Sequence, residues 1–101
     1  MFTVIRTYSG NRDLTNELVK RSADVEKIIG AVQGFIAWYL IRTTDGTTTV
    51  TVCETSAGCE ESTRRAGEWL RENLPNLKVG APTVVEGELV HRFANYKASQ
   101  V

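Results

Sequence analysis

Residues 35–53 read FIAWYLIRTTDGTTTVTVC, and this stretch decides the fold. An apolar, aromatic run over residues 34 to 43 is followed by Asp45-Gly46 and then by a threonine-rich run from Thr47 to Thr55. Asp-Gly between two strand-like runs signals a β-hairpin, because both central residues of a type I′ turn need positive φ. With Asp45 and Gly46 as the turn, Tyr39 faces Val52, Ile41 faces Val50, Trp38 faces Cys53 and Leu40 faces Thr51. Alternation then puts Phe35, Ala37, Tyr39, Ile41, Val50 and Val52 on one face. The other face carries Ile36, Trp38, Leu40, Arg42, Thr49, Thr51 and Cys53, a mixed surface.

Outward from the hairpin, residues 2 to 8 form a strand rich in β-branched and aromatic side chains, broken by Ser9-Gly10-Asn11. Leu14, Leu18, Val25, Ile28 and Ile29 then share one helical stripe, which predicts a single helix capped by Asn11 or Asp13 and stopped at Gly30. On the other side, Ser56 is the expected N-cap of a second helix running to about Asn73. Cys59, Ala66, Trp69, Leu70 and Leu74 form its apolar side, and Glu60/Arg64, Glu61/Arg65 and Arg64/Glu68 its solvated side. Pro75 ends it. Residues 83 to 93 form the last strand, and 94–101 a polar tail, so residues 1–93 make one domain.

Strand, helix, strand, strand, helix, strand is two βαβ halves around a hairpin. Right-handed crossovers put both helices on one face of a four-stranded antiparallel sheet, an α+β, ferredoxin-like βαββαβ plait. The second strand falls at an edge although it is the most apolar, with Ile36, Trp38 and Leu40 expected on the helix-free face. Soluble proteins rarely leave such an edge in water, so a second copy is expected to cover it, with those three residues as the dimer interface.

The 101 residues leave room for one domain at about 150 residues each. Twelve basic and twelve acidic residues cancel, which leaves no charge footprint for nucleic acid or an anionic membrane. The longest apolar run, Phe35 to Ile41, is too short to span a bilayer. The chain opens directly on strand-like Phe2-Thr3-Val4-Ile5, so no leader is expected. Cys53 and Cys59, with the single histidine far off in sequence, do not make a metal site. A disulfide between them would close a very small loop across a strand-to-helix junction, so both read as reduced thiols in the cytoplasm. No cofactor and no metal are expected, and no GxGxxG or GxxxxGK[ST] phosphate loop is present.

The length, the Gly34-Phe35 entry to the second strand, Asp45-Gly46 and the segment Pro82-Thr83-Val84-Val85-Glu86-Gly87-Glu88-Leu89-Val90 resemble small bacterial proteins of the dimeric α+β barrel superfamily. Within it they are similar to the antibiotic-biosynthesis-monooxygenase-like (ABM-like) group, over about residues 2 to 93. The resemblance implies a homodimer whose two sheets close into a barrel, with a ligand pocket in each subunit between sheet and helices. Some members oxygenate polycyclic aromatic substrates without metal or flavin. Others degrade haem with an Asn, Trp and His set, and a further group has only structural or stress-related roles. This chain departs from the haem pattern, because His91 lies on the expected last strand and Asn11 in a turn.

Each candidate side chain has a plain structural reading beside the functional one. His91 is the default acid or base because its pKa lies near neutrality, but a histidine alternating with Leu89 and Phe93 is more often structural. Arg6, in a central strand, needs a partner. Glu86 or Glu88 on the neighbouring strand would supply an ion pair; alternatively, Arg6 anchors an anionic or phenolate ligand. Trp69, Tyr39 and Tyr8 would shape a pocket or simply pack the core. The function expected is a small-ligand-binding or structural module taking a hydrophobic or aromatic ligand. The alternative is a cofactor-independent monooxygenase acting on a small aromatic or polyketide-type substrate, with Arg6 stabilising the anion and His91 moving the proton.

Overall fold

The protein, described by a computed structural model over residues 1–95, places its chain as β1 (Phe2–Ser9), α1 (Asp13–Lys20), α2 (Ser22–Gly30), β2 (Phe35–Arg42), β3 (Gly46–Cys53), α3 (Ser56–Asn73), a 3-10 turn (Pro75–Leu77) and β4 (Thr83–Glu88). All strand pairings are antiparallel, in the order β2-β3-β1-β4. Leu14 and Leu18 of α1, Val25 and Ile29 of α2 and Trp69 of α3 gather with Tyr8 of β1 in one core cluster, so the helices cover one face of the sheet. This is the α+β ferredoxin-like fold, with β2 at an edge. No helix among the described residues is long and apolar enough to cross a membrane. Of the tail, residues 96–101 lie outside the described residues.

The hairpin forms, but two residues out of the expected register. Tyr39 pairs with Val50, Leu40 with Thr49 and Trp38 with Thr51. The turn is closed by the Thr43 N–H donating to the Gly46 carbonyl at 3.1 Å, which puts Thr44 and Asp45 at its centre. None of Thr44, Asp45 and Gly46 has positive φ, so the type I′ reasoning fails. Gly46 is required for another reason. A Cβ there would sit 2.1 Å from the Tyr8 carbonyl oxygen of the neighbouring strand.

Three element boundaries also move. The first helix is two, joined at Arg21, whose φ of −109° and ψ of 24° leave the helical region. Each half buries its own part of the predicted stripe. The N-cap of α3 is Thr55, whose hydroxyl accepts from the Gly58 N–H at 3.0 Å, and Ser56 is the first helical residue. Glu61 and Arg65, and Arg64 and Glu68, pair as expected, but Arg64 also takes Glu61 in place of Glu60. The last strand stops at Glu88 instead of residue 93. Its partner β1 begins at Phe2, opposite Glu88, and beyond one further bond from the Leu89 N–H to the Met1 carbonyl there is no strand left to pair with.

The helices cover the face of the sheet opposite to the one expected from the apolar pattern. A register irregularity between Phe35 and Ala37 leaves Ile36 as the extra residue, a β-bulge that switches side-chain parity. Phe35 therefore packs inward, and Trp38 and Leu40 also lie against the helix-side core. The expected interface residues Ile36, Trp38 and Leu40 thus do not make up the helix-free face. That face carries Ala37, Tyr39 and Ile41, and one row crosses the whole sheet as Tyr39, Val50, Ile5 and Val85. Tyr39, Ile41, Ile5 and Val85 are all exposed there. Replacing Gly46 with Ala should lower stability by about 3 kcal/mol through overpacking, measured by urea unfolding. Gly80→Ala, where a Cβ meets nothing within 4 Å, should leave stability nearly unchanged.

Candidate functional site

On the helix-covered face, β1 and β3 alternate an unusually polar set inward: Arg6 and Tyr8 from β1, and Thr47, Thr49 and Thr51 from β3, all buried. Arg6 pairs across the sheet with Thr49 and is only 1% exposed. Its Nε donates to Thr49 Oγ1 at 3.1 Å, its Nη1 to Ser62 Oγ at 3.2 Å and Thr63 Oγ1 at 2.8 Å, and its Nη2 to Thr51 Oγ1. Ser62 in turn donates to the Cys59 carbonyl at 2.7 Å. These bonds use four of the five guanidinium donors and leave one Nη2 hydrogen unspent. No ion pair to Arg6 is present among the described residues. The expected salt bridge to Glu86 or Glu88 does not form, because both glutamates are exposed on the edge strand and hydroxyls from β3 and α3 reach the guanidinium instead. Burial draws the Arg6 pKa down, while Tyr8 and, more weakly, Glu86 favour its charge.

Beside Arg6 a cleft opens between sheet and helices. Tyr8, Trp38 and Trp69 give it aromatic walls, and Leu18, Val25 and Ile29 an aliphatic floor. Its free volume is about 30 Å³. That is room for water or a small polar head. Anything with a ring needs the side chains to part. Burial pushes the Tyr8 phenol above its ordinary pKa, against the opposing pull of Arg6.

Arg6, Tyr8 and Trp69 therefore come together, and two other sequence candidates do not join them. Tyr39 is half exposed on the opposite face of the sheet and cannot shape this cleft within one protomer. His91 lies past the end of β4, exposed and outside the cleft lining. The hydroxyl cage of Thr49, Thr51, Ser62 and Thr63 was missed. Its signal was present in the alternation of threonines at 47, 49 and 51 on the strand beside a central arginine.

The sequence matches no protein-family model and no curated protein. Solved structures do share its fold. The haem degrader MhuD of Mycobacterium tuberculosis, with two haems bound in its active site, superposes with a TM-score of 0.68 at 18% identity, covering 93% of this chain and 100% of that one. The ActVA-Orf6 monooxygenase of Streptomyces coelicolor, in complex with nanaomycin D, gives 0.63 at 22% identity, over 93% of this chain and 90% of that one. A dimeric ferredoxin-like protein from an uncultured marine organism gives 0.63 at 16% identity, over 93% and 98%. The chain thus shares the ferredoxin-like fold of these proteins. Its cleft does not fit a histidine-ligated haem: no histidine lines it, and its free volume is far below that of a macrocycle.

Behind the Arg6 cage, Cys53 ends β3 and Cys59 lies in the first turn of α3, both fully buried as free thiols. Burial and the adjacent Cys53 push the Cys59 thiol up to about 11, so the helix start does not activate it. The folded protein should show no reaction with a thiol reagent at pH 7.5 on a timescale of minutes, with two thiols released on unfolding in urea. Because the folded-state thiol holds its proton more tightly than the unfolded one, stability should fall as pH rises from 9 towards 11, measured by urea midpoints across that range.

Proposed function

We propose that this protein works as a homodimer that binds a small, flat, hydrophobic or aromatic ligand in the cleft between its sheet and helices, in the cytoplasm and without turnover. The observation that carries this reading is the cleft itself. Two tryptophans and a tyrosine wall a space whose polar contact comes from a buried cation and hydroxyls, the composition of a small-molecule site. Proteins of the same fold that hold haem or nanaomycin D support a flat ligand. The homodimer is supported by the row Tyr39, Val50, Ile5 and Val85 together with Ile41, an apolar strip exposed at every residue but the half-buried Val50, of the kind that marks an interface. The dimeric neighbour of the same fold supports it too. The two buried free thiols suit a reducing compartment.

A second reading is a cofactor-independent monooxygenase for a small aromatic or polyketide-type substrate. What favours it is Arg6, a fixed positive charge in a largely dry site, where a substrate enolate or phenolate would be stabilised. Against it stands the lack of a histidine at the cleft, since His91 lies elsewhere.

A thermal-shift screen with flat aromatic compounds tests the main reading, and saturable stabilisation by some of them is expected. No response across a broad set would contradict it. Oxygen uptake with the stabilising compounds separates the two readings: none is expected, and steady consumption would favour the monooxygenase. Tyr39→Asp should give a folded monomer by light scattering, whereas Trp38→Asp should lower Tm by disturbing the helix-side core. A dimer that survives Tyr39→Asp and Ile41→Asp together would contradict the assigned face.

A further inference from the structure

Arg6 poses a problem that the described residues do not solve by themselves. A guanidinium 1% exposed has lost nearly all its water, and removing a charge from water costs several kcal/mol unless an opposite charge comes with it. Here the partners are four neutral hydroxyls from β3 and α3. They satisfy donors but bring no negative charge. Glu86 favours the charge on Arg6 but makes no ion pair with it. The other titratable groups around it, Tyr8, Cys53 and Cys59, include a phenol and a thiol that burial holds in their neutral forms.

Two further observations point to where the missing charge belongs. Arg6 lines the cleft, and one Nη2 hydrogen remains after its four bonds. Tyr8, two residues along the same strand, lines the same cleft, and its hydroxyl has no hydrogen-bond partner among the described residues. Arg6 and Tyr8 thus border one small space flanked by two indoles.

We infer that the cleft is an anion site, in which Arg6 and Tyr8 take the carboxylate or phenolate head of a flat aromatic acid while Trp38 and Trp69 wall its ring. The free volume of about 30 Å³ suits the head as the side chains stand; the ring enters as the indoles give way. The assignment rests on the ligand-cleft reading above and narrows it to a charge class. Charge-assisted hydrogen bonds to a desolvated guanidinium make the anion much the stronger ligand.

The test uses the full chain at constant ionic strength, with benzoate and salicylate, their neutral amides, and nitrate or formate as small anions without a ring. Benzoate or salicylate should raise Tm by about 4 °C or more at saturation and bind about tenfold or more tightly than the amides. Arg6→Gln should abolish that preference. Equal binding of acids and amides would overturn the anion assignment and leave the ligand cleft standing. Equal stabilisation by nitrate or formate would overturn the aromatic class. No response to any compound would count against the cleft and the anion site together. Should Arg6→Gln not fold, quenching of Trp38 and Trp69 fluorescence by 3,5-diiodobenzoate in the unaltered protein decides. Saturable quenching displaced by benzoate but not by benzamide supports the site, and linear quenching unaffected by either overturns it.

Discussion

A single guanidinium, taken out of water and held by hydroxyls alone, organises this molecule. Arg6 ties β1 to β3 through Thr49 and Thr51, and the sheet to α3 through Ser62 and Thr63. Three elements thus converge on one side chain. A salt bridge would have neutralised the charge at the same place, and the core would then have closed as an ordinary one. Because hydroxyls satisfy donors without cancelling charge, the interior keeps a net positive point beside an aromatic-walled space that the helices leave open. The candidate ligand site and the polar core are therefore consequences of the same choice of partners.

The sheet has two faces with opposite tasks. Its helix side is more polar than a core normally is, with three buried threonines and an arginine among Val4, Tyr8 and Cys53. Its other side is more apolar than a surface normally is, with Tyr39, Ile41, Ile5 and Val85 in the open. The β-bulge at Ile36 joins the two. It turns Phe35 inward to close the end of the core and lets the rest of β2 present Ala37, Tyr39 and Ile41 outward.

The order of elements, the edge position of β2 and the end of α3 could be read from residue patterns, because they depend on local signals: β-branched runs, a helical stripe, Pro75. The orientation of the sheet could not. Apolar side chains normally mark the buried face, and here that rule selects the wrong one, since the Arg6 cage makes the buried face polar. The same inversion misplaced Tyr39, Trp38 and Leu40. The hairpin register failed for a different reason. Asp45-Gly46 looks like a turn that needs positive φ, but Gly46 is glycine because the Tyr8 carbonyl comes too close for a side chain, a contact between segments far apart in sequence. The Arg6 partners were half legible. A central-strand arginine announces that something must pair with it, but choosing between glutamate and hydroxyls requires knowing which neighbours face inward.

The most direct measurement is the NMR spectrum of the Arg6 side chain, following its Nε–H and Nη resonances through the range where carboxylates titrate, roughly pH 3 to 5. A guanidinium caged by Thr49, Thr51, Ser62 and Thr63 should give slowly exchanging protons whose shifts stay constant while the protein remains folded. Shifts that follow the titration of Glu86 or Glu88 would reveal an ion pair in the core and contradict the account.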